Sequence, residues 1–282
     1  MRTFPNMHPC CSASRRTATT LLVEDSATTL VSVDTSTLPA GRFQVVEWVE
    51  STASTNADLA EAVRSGLTDA RVLLTEEQTA GRGRRDRTWT MPPGGGLLMS
   101  MYVPWPADDA AIVATALGVA AVDAIGGHGV PVALKWPNDL LLPDGRKVAG
   151  MLGERVATDS HVGVVVGMGL NVSWPTIDDG FEGAGCLNDA NPEPIDRPAL
   201  ARTIITNFDE ELRRVEHYGS TPVLDRYRVR CATLGTEVRV QTPSGDITGR
   251  AIDIDESGRL RLETTEEVMT IDVGDVVHLR PQ

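Results

Sequence analysis

The chain has 282 residues, which at roughly 150 residues per domain predicts about two domains. Its 41% hydrophobic and 23% charged residues are typical of a soluble globular protein, and the net charge of −13 argues against general nucleic-acid binding, which needs a basic surface. No run reaches the roughly 18 uncharged apolar residues of a membrane span. The four cysteines include no CxxC pair, which excludes a disulfide scaffold and favours a reducing cytoplasm.

The N-terminal segment, residues 1–42, is rich in Ser, Thr and Ala without sustained periodicity, and we expect it to be a disordered tail or a wrongly assigned start. The folded part is predicted to begin with a strand at 43–50. A helix capped by Thr55 follows, because apolar residues recur every four positions from Leu59 and Gly66 stands where the helix should stop.

The middle of the chain contains further strand and helix patterns separated by turn residues. The predicted elements are strands at 71–75, 96–103, 132–136, 147–156 and 161–168, a hairpin turn at 143–146, and helices at 108–125, from Arg197 after an Asp196 cap, and at 221–230. Many strands with few helices between them indicate an α+β fold with a mixed or antiparallel sheet.

From about residue 233 short segments alternate apolar and polar residues, with glycine-containing turns between them. Four or five such strands in about 50 residues predict a small β-barrel. We therefore expect a main domain at 43–231 and a C-terminal domain at 232–282.

Only two of the 26 basic residues are lysines, Lys135 and Lys147. Where a site needs a point charge or a titratable amine, a planar guanidinium cannot replace a compact ammonium. The two lysines are therefore candidate functional residues, unless they persist by chance.

The densest motif is QTAGRGRRDRTW at 78–89, in which four arginines and two glycines occupy the seven residues 81–87. Glycines allow main-chain N–H groups to approach a ligand closely, and arginines bind carboxylate or phosphate oxygens in fork geometry. The motif predicts an anionic small-molecule ligand, with a solvated basic loop or a nucleic-acid arm as the alternatives. It is neither a P-loop nor a dinucleotide motif, because GxxxxGK[ST] is absent and no helix follows.

A second motif, KWPND, starts at Lys135 and ends a predicted strand. Its proline forces a turn, which presents Asn138 and Asp139 as acceptors for hydroxyl groups or a hydrated Mg²⁺. An Asx turn that only satisfies its own backbone is the alternative.

Two further segments are glycine-rich strands. GRKVAGML places Lys147 at the start of a strand near Gly150, and VVVGMGLN ends in two glycines and Asn171. Both patterns suit close approach of a ligand to a sheet. A solvent-facing lysine and a strand that simply turns are the alternatives.

Taken together, ASTNADLA, TAGRGRRDRTW, KWPNDLLL, GRKVAGMLGE and VVVGMGLNV resemble, in family order, the motif set of the biotin protein ligases over about residues 45–280. The resemblance implies an α+β core of the class II aminoacyl-tRNA-synthetase-like (biotin/lipoate ligase) type and an SH3-like C-terminal β-barrel. It also implies that biotin and ATP form biotinyl-5′-AMP, with Mg²⁺, and that biotin then passes to a lysine of a biotin carboxyl carrier domain of an acyl-CoA carboxylase.

The resemblance also implies roles for individual residues, with Arg84 and Lys147 as the catalytic pair. The biotin-binding positions are Ser54, Thr55, Asn56, Gln78, Gly81, Arg82, Gly83, Arg84, Lys147 and Gly150. The adenylate-binding positions are Arg84, Arg87, Trp89, Lys135, Asn138, Asp139 and Asn171. Mg²⁺ would be bound mainly through the phosphates, with Asp139 as a candidate ligand.

Two departures from the family pattern stand out. Asp86 replaces the usual last glycine of GRGRRG, and only about 42 residues precede the core, too few for the DNA-binding domain of the repressor-type members. We therefore expect a monofunctional cytoplasmic ligase, a monomer or weak dimer, that binds neither DNA nor membranes. A lipoate or octanoyl ligase, or an inactive ligand-binding protein with this fold, remains an alternative.

Overall fold

The computed structural model describes residues 35–105, 110–159, 161–174, 183–272 and 274–279. Most of the expected N-terminal tail therefore lies outside the described residues. The folded domain begins before the expected boundary at 43. Leu38 is fully buried, and Arg42 contacts Asp209 at 2.6 Å and Glu216 at 2.8 Å.

A seven-stranded sheet forms the centre of the main domain, in the order β1-β2-β3-β7-β6-β5-β4. Its strands are β1 Val45–Thr52, β2 Arg71–Gln78, β3 Gly96–Pro104, β4 Ala133–Lys135, β5 Asp139–Leu141, β6 Lys147–Ala157 and β7 Val162–Asn171. Strands β1 and β2 are parallel and the other pairs antiparallel, which confirms the mixed sheet. Strand β5 was not predicted; it returns beside β4 directly after the turn at Pro137.

Helices cover both faces of this sheet. Their bounds are α1 Thr55–Arg64, α2 Ala110–Gly126, α3 Leu187–Ala190, α4 Arg197–Tyr218 and α5 Thr221–Arg230. Successive strand residues point to opposite faces, so that Leu73 packs with α1 while Leu74 packs in the larger core with α2, α4 and α5. None of the described helices is both long and apolar enough to cross a membrane.

The ends of two helices test the predicted caps. Asp196 accepts a hydrogen bond from the Ala199 amide at 3.1 Å, which confirms it as the cap of α4. The predicted cap at Thr55 is wrong: Ser54 holds the N-cap position of α1, without a side-chain capping bond. The Thr55 hydroxyl instead forms a hydrogen bond with the Ser100 hydroxyl.

The C-terminal region forms a separate antiparallel sheet in the order β11-β10-β9-β8-β12. Its strands are β8 Glu237–Thr242, β9 Gly245–Ile254, β10 Leu260–Glu263, β11 Val268–Ile271 and β12 Asp275–His278. The C-terminal part holds the KWPND turn in place, because the Trp136 amide donates to the Thr233 hydroxyl at 3.1 Å and the Trp136 indole donates to the Gly258 carbonyl at 3.0 Å.

Candidate active site

A cavity of about 500 Å³ lies between the arginine-rich segment and strands β3, β6 and β7. Residues from all five sequence motifs line it. The predicted site residues on its wall are Ser54, Thr55, Asn56, Gln78, Arg82, Gly83, Arg84, Arg87, Trp89, Asn138, Asp139, Lys147, Gly150 and Asn171. The structure thus brings residues of these separate motifs together around one cavity.

Gly81 and Lys135 are predicted site residues that do not line the cavity. The Gly81 carbonyl accepts from the Trp89 amide at 3.0 Å, so this glycine closes the base of the loop. Lys135 lies opposite Asp139 in the register of the antiparallel strands β4 and β5. Burial lowers the pKa of Lys135, and the nearby Lys147 ammonium lowers it further, while the Asp139 carboxylate acts in the opposite direction.

The floor of the cavity is a buried polar network at the start of α1. The Gln78 amide oxygen accepts from the Thr55 backbone amide at 2.9 Å, and the Thr55 and Ser100 hydroxyls lie 2.6 Å apart. Ser100 in turn donates to the Asn56 side-chain oxygen at 2.6 Å. A Cβ at Gly167 would collide with that oxygen, so glycine is needed there. The network presents fixed donors and acceptors to a ligand.

Residues 81–89 form a tight loop over the cavity, which is called the arginine loop below. The Gly83 amide donates to the Arg87 carbonyl at 2.6 Å and closes the turn. Arg85 and Asp86 adopt left-handed backbone conformations, with φ of 54° and 58°. Glycine enters this region without steric cost, whereas Asp does so with some strain and Arg with more. The turn therefore explains why a glycine suits position 86.

Three guanidinium groups of the arginine loop gather around one carboxylate of the C-terminal sheet. Asp275 lies 3.7 Å from Arg84, 3.4 Å from Arg85 and 2.7 Å from Arg87. Arg84 also donates to the Asn138 side-chain oxygen at 3.3 Å. Burial lowers the pKa of Arg84, and Asp275 offsets part of that effect. Arg84 thus carries its positive charge in a partly dehydrated setting.

The second cationic centre is Lys147 at the start of β6. Its ammonium lies 2.6 Å from an Asp139 carboxylate oxygen and 5.4 Å from the centre of the Trp89 ring. The Trp89 ring packs against two glycines, because a Cβ at Gly169 would collide with it and one at Gly150 would lie 3.0 Å from it. These glycines let the indole form a flat wall of the cavity.

The buried polar atoms of the wall include two that make neither a hydrogen bond nor an ion pair within the described part of the chain. They are the Trp89 indole nitrogen and the Asn171 side-chain oxygen, although the Asn171 amide nitrogen donates to the Gly185 carbonyl at 3.0 Å. Buried polar groups are normally hydrogen-bonded, so an orphaned donor and an orphaned acceptor on one cavity wall suit a polar ligand.

The described residues contain no cluster of three His, Cys, Asp or Glu side chains that could hold a metal ion. Asp139 is the acidic residue on the cavity wall, and it already pairs with Lys147. The donor set therefore fits a divalent ion that arrives with a phosphate ligand better than one held by the protein alone.

Other wall residues were not predicted as site residues. They are Thr88, Thr90, Met99, Ser100, Met151, Leu152, Gly167, Met168, Gly169, Trp174, Gly183 and Ala184. The two strand glycines were recognised as sites of close approach, and a serine within the apolar strand β3 was the available signal for Ser100. Apolar walls, a polar floor and several cations together suit a ligand with an apolar body and acidic groups.

Comparison with known proteins identifies the family. Residues 48–171 match the family model described as "Biotin/lipoate A/B protein ligase family", and residues 233–279 match "Biotin protein ligase C terminal domain". The chain is 38% identical to the biotin–[acetyl-CoA-carboxylase] ligase of Mycobacterium tuberculosis, over 84% of this chain and 90% of that protein. It is 31% identical to the bifunctional ligase/repressor BirA of Bacillus subtilis, over 79% and 71% of the two chains.

Solved structures agree with the sequence matches. The biotin protein ligase from Aquifex aeolicus, in complex with biotin and ATP, superposes with a TM-score of 0.74 at 26% identity, covering 85% of this chain and all of that one. The resemblance on which the sequence interpretation rests is thereby confirmed, and the chain belongs to the biotin protein ligase family.

Proposed function

We propose that this chain is an ATP-dependent biotin protein ligase that makes biotinyl-5′-AMP and then transfers biotin to a lysine of a biotin carboxyl carrier domain of an acyl-CoA carboxylase. The observation that supports this most directly is the convergence of Arg84, Arg87 and Lys147 on one cavity. In a chain with a net charge of −13, such a cluster of cations favours anionic reactants.

The biotin end of the cavity is assigned to the polar floor. A ureido group has both N–H donors and a carbonyl acceptor, and the hydroxyl and amide groups of the floor can satisfy both. The proposed biotin-binding residues are Ser54, Thr55, Asn56, Gln78, Gly81, Arg82, Gly83, Arg84, Lys147 and Gly150. The Gly81 contribution is through the loop geometry, since that residue does not line the cavity.

The adenylate end is assigned to the side of the cavity nearer the C-terminal sheet. The proposed residues are Arg84, Arg87, Trp89, Lys135, Asn138, Asp139 and Asn171. The orphaned Trp89 donor and Asn171 acceptor suit polar groups of a nucleotide. Lys135 acts from behind the wall through its charge, and Asp139 orients Lys147 through their 2.6 Å ion pair.

In the first step the biotin carboxylate attacks the α-phosphorus of ATP. A carboxylate oxygen of biotin forms the new bond to the α-phosphorus. The bond between the α-phosphorus and the oxygen that bridges to the β-phosphorus breaks, and pyrophosphate leaves. Both reactants are anions, so Arg84 and Lys147 act by offsetting their repulsion and by stabilising the charge of the transition state. A Mg²⁺ ion bound with the nucleotide, with Asp139 as its candidate protein ligand, would neutralise the phosphates further.

In the second step the neutral ε-amine of the carrier lysine attacks the carbonyl carbon of the mixed anhydride, and AMP leaves. The amide product forms as the amine loses its proton. A mixed anhydride hydrolyses readily, so the arginine loop contributes by covering the cavity and excluding water. No covalent intermediate on the protein is required by this sequence of bond changes.

We extend the proposal to the folds of the two domains, the cellular compartment and the oligomeric state. We assign the main domain to the class II aminoacyl-tRNA-synthetase-like core, extended from the expected 43–231 to include the buried Leu38, and residues 232–282 to an SH3-like barrel. We also assign the protein to the cytoplasm, as a monomer or weak dimer. The net charge of −13 supports an enzyme that does not bind DNA, since nucleic-acid binding needs a basic surface.

Exchange of labelled pyrophosphate into ATP tests the first step. We expect exchange that depends on biotin and not on lipoate, followed by biotin transfer to a purified biotin carboxyl carrier domain. A carrier with its acceptor lysine replaced by arginine is the matched control and should stay unmodified. Exchange with lipoate alone would indicate a lipoate ligase, and exchange with neither acid would refute the proposal.

A further inference from the structure

The charges of the arginine loop are balanced by the protein itself. Asp275, the first residue of β12 in the C-terminal sheet, is in contact with Arg84, Arg85 and Arg87 at 3.7, 3.4 and 2.7 Å. Its side chain is 21% exposed, whereas that of Arg87 is 61% exposed. One partly buried carboxylate thus sits at the centre of three guanidinium groups.

The three arginines differ in what else they contact. Arg84 and Arg87 line the cavity, whereas Arg85 does not and instead also donates to the Gln241 carbonyl of β8 at 3.2 Å. Arg85 therefore ties the loop to the C-terminal sheet alone. Arg84 and Arg87 face two places at once, the Asp275 carboxylate and the space that a ligand would fill.

The loop backbone is held in a conformation that needs such ties. Arg85 and Asp86 are consecutive non-glycine residues with φ of 54° and 58°. Residues other than glycine enter this region at a cost in free energy and remain there only when the surroundings hold them. The ion pairs of Arg84 and Arg87 with Asp275 flank the strained pair on both sides, and Arg85 itself contacts the same carboxylate.

We propose that Asp275 is a positioning residue that takes the place of a phosphate group in the nucleotide-free protein: it holds the arginine loop closed, and ATP must displace it from Arg84 and Arg87. This inference rests on the proposed ligase function, because it assigns the competing anion as the nucleotide. A carboxylate and a phosphate offer the same kind of acceptor oxygens to a guanidinium fork. The apparent affinity for ATP then includes the free energy needed to break the contacts with Asp275.

The test is Asp275→Asn, which removes the charge and keeps the shape. We expect the KM for ATP in biotin-dependent pyrophosphate exchange to fall about two- to fivefold with kcat unchanged, as loss of a competing surface ion pair allows. Asp275→Glu keeps the carboxylate, so its KM should remain near that of the wild type.

A second measurement does not depend on ligase activity. In the ligand-free protein, trypsin can cut after the loop arginines only when the loop opens, and the rate then follows the open population. We expect Asp275→Asn to be cut there several times faster than the wild type, with the cleavage sites identified by mass spectrometry. This readout decides the inference even if the wild type shows no exchange and the proposed function fails.

Asp272→Asn is the matched control. Asp272 belongs to the same C-terminal sheet region, is 69% exposed and pairs with Arg259 at 3.5 Å, so its replacement changes the net charge equally away from the arginine loop. It should leave both measurements within about twofold of the wild type. A KM for ATP that rises or stays constant in Asp275→Asn, or loop cleavage that does not accelerate, would overturn the inference.

Discussion

Replacing Lys147 by methionine removes one of the two cationic centres while keeping a similar chain length. The ammonium at about 4 Å from a developing negative charge contributes about 4 kcal/mol at an effective dielectric constant near 20. That free energy corresponds to about a thousandfold in rate. We therefore expect kcat/KM for biotin-dependent pyrophosphate exchange to fall about a thousandfold in Lys147→Met.

Part of that loss comes from Asp139, since its carboxylate lies 2.6 Å from the lysine and is only 18% exposed. In Lys147→Met this carboxylate stays in the cavity wall without its partner and repels anionic reactants. The double variant Lys147→Met/Asp139→Asn removes the repulsion, so we expect it to recover about tenfold of the lost kcat/KM. A double-mutant cycle with Asp139→Asn measures this coupling.

Arg155→Met is the control, because Arg155 lies on the same strand, is exposed and does not line the cavity. It should retain the wild-type rate, and thermal unfolding should show that all four proteins are folded. A fall of less than about tenfold in Lys147→Met would mean that the ammonium does not stabilise the reaction by charge.

Three further outcomes follow from the packing and burial of individual side chains. Gly169→Ala should raise the KM for ATP about tenfold or more, because its Cβ collides with the Trp89 ring, whereas Gly126→Ala, which meets open space, should leave the KM for ATP unchanged. Ser100→Ala should lower the free energy of unfolding by about 1–3 kcal/mol, measured by urea denaturation, since it strips hydrogen bonds from two buried partners; an unchanged value would remove the polar floor from the account. Burial raises the pKa of Cys186 to about 11, so its thiol should stay unalkylated by iodoacetamide at pH 8 in the folded protein and react once it is unfolded, as peptide mapping would show.

The sequence predicts those parts of the molecule that depend on local patterns. The Asp196 cap and the helix at 221–230 are confirmed because capping residues and apolar spacing act within a few positions. Strand β5 was missed, since three residues are too few to show an alternating pattern. The predicted cap at Thr55 was wrong because Thr55 is already the first residue of α1 and its hydroxyl makes a tertiary contact with Ser100 on strand β3.

In the site too, local patterns were predictable from the sequence and contacts between distant segments were not. The motif segments contain the residues that line the cavity, since each carries its own Gly, Arg, Lys or Asn signal. Contacts between distant segments have no such signal. Ser100 meets Asn56 across 44 positions, and Asp275 meets Arg87 across 188, so only the folded chain reveals these partners.

The central claim is that Arg84 and Lys147 act on the same ligand in one cavity. A crystal structure with a non-hydrolysable analogue of biotinyl-5′-AMP tests it most directly. We predict that the analogue fills the cavity of about 500 Å³, with both side chains within hydrogen-bond distance of its phosphate or acyl oxygens. An analogue bound elsewhere, or one that neither Arg84 nor Lys147 touches, would contradict the account.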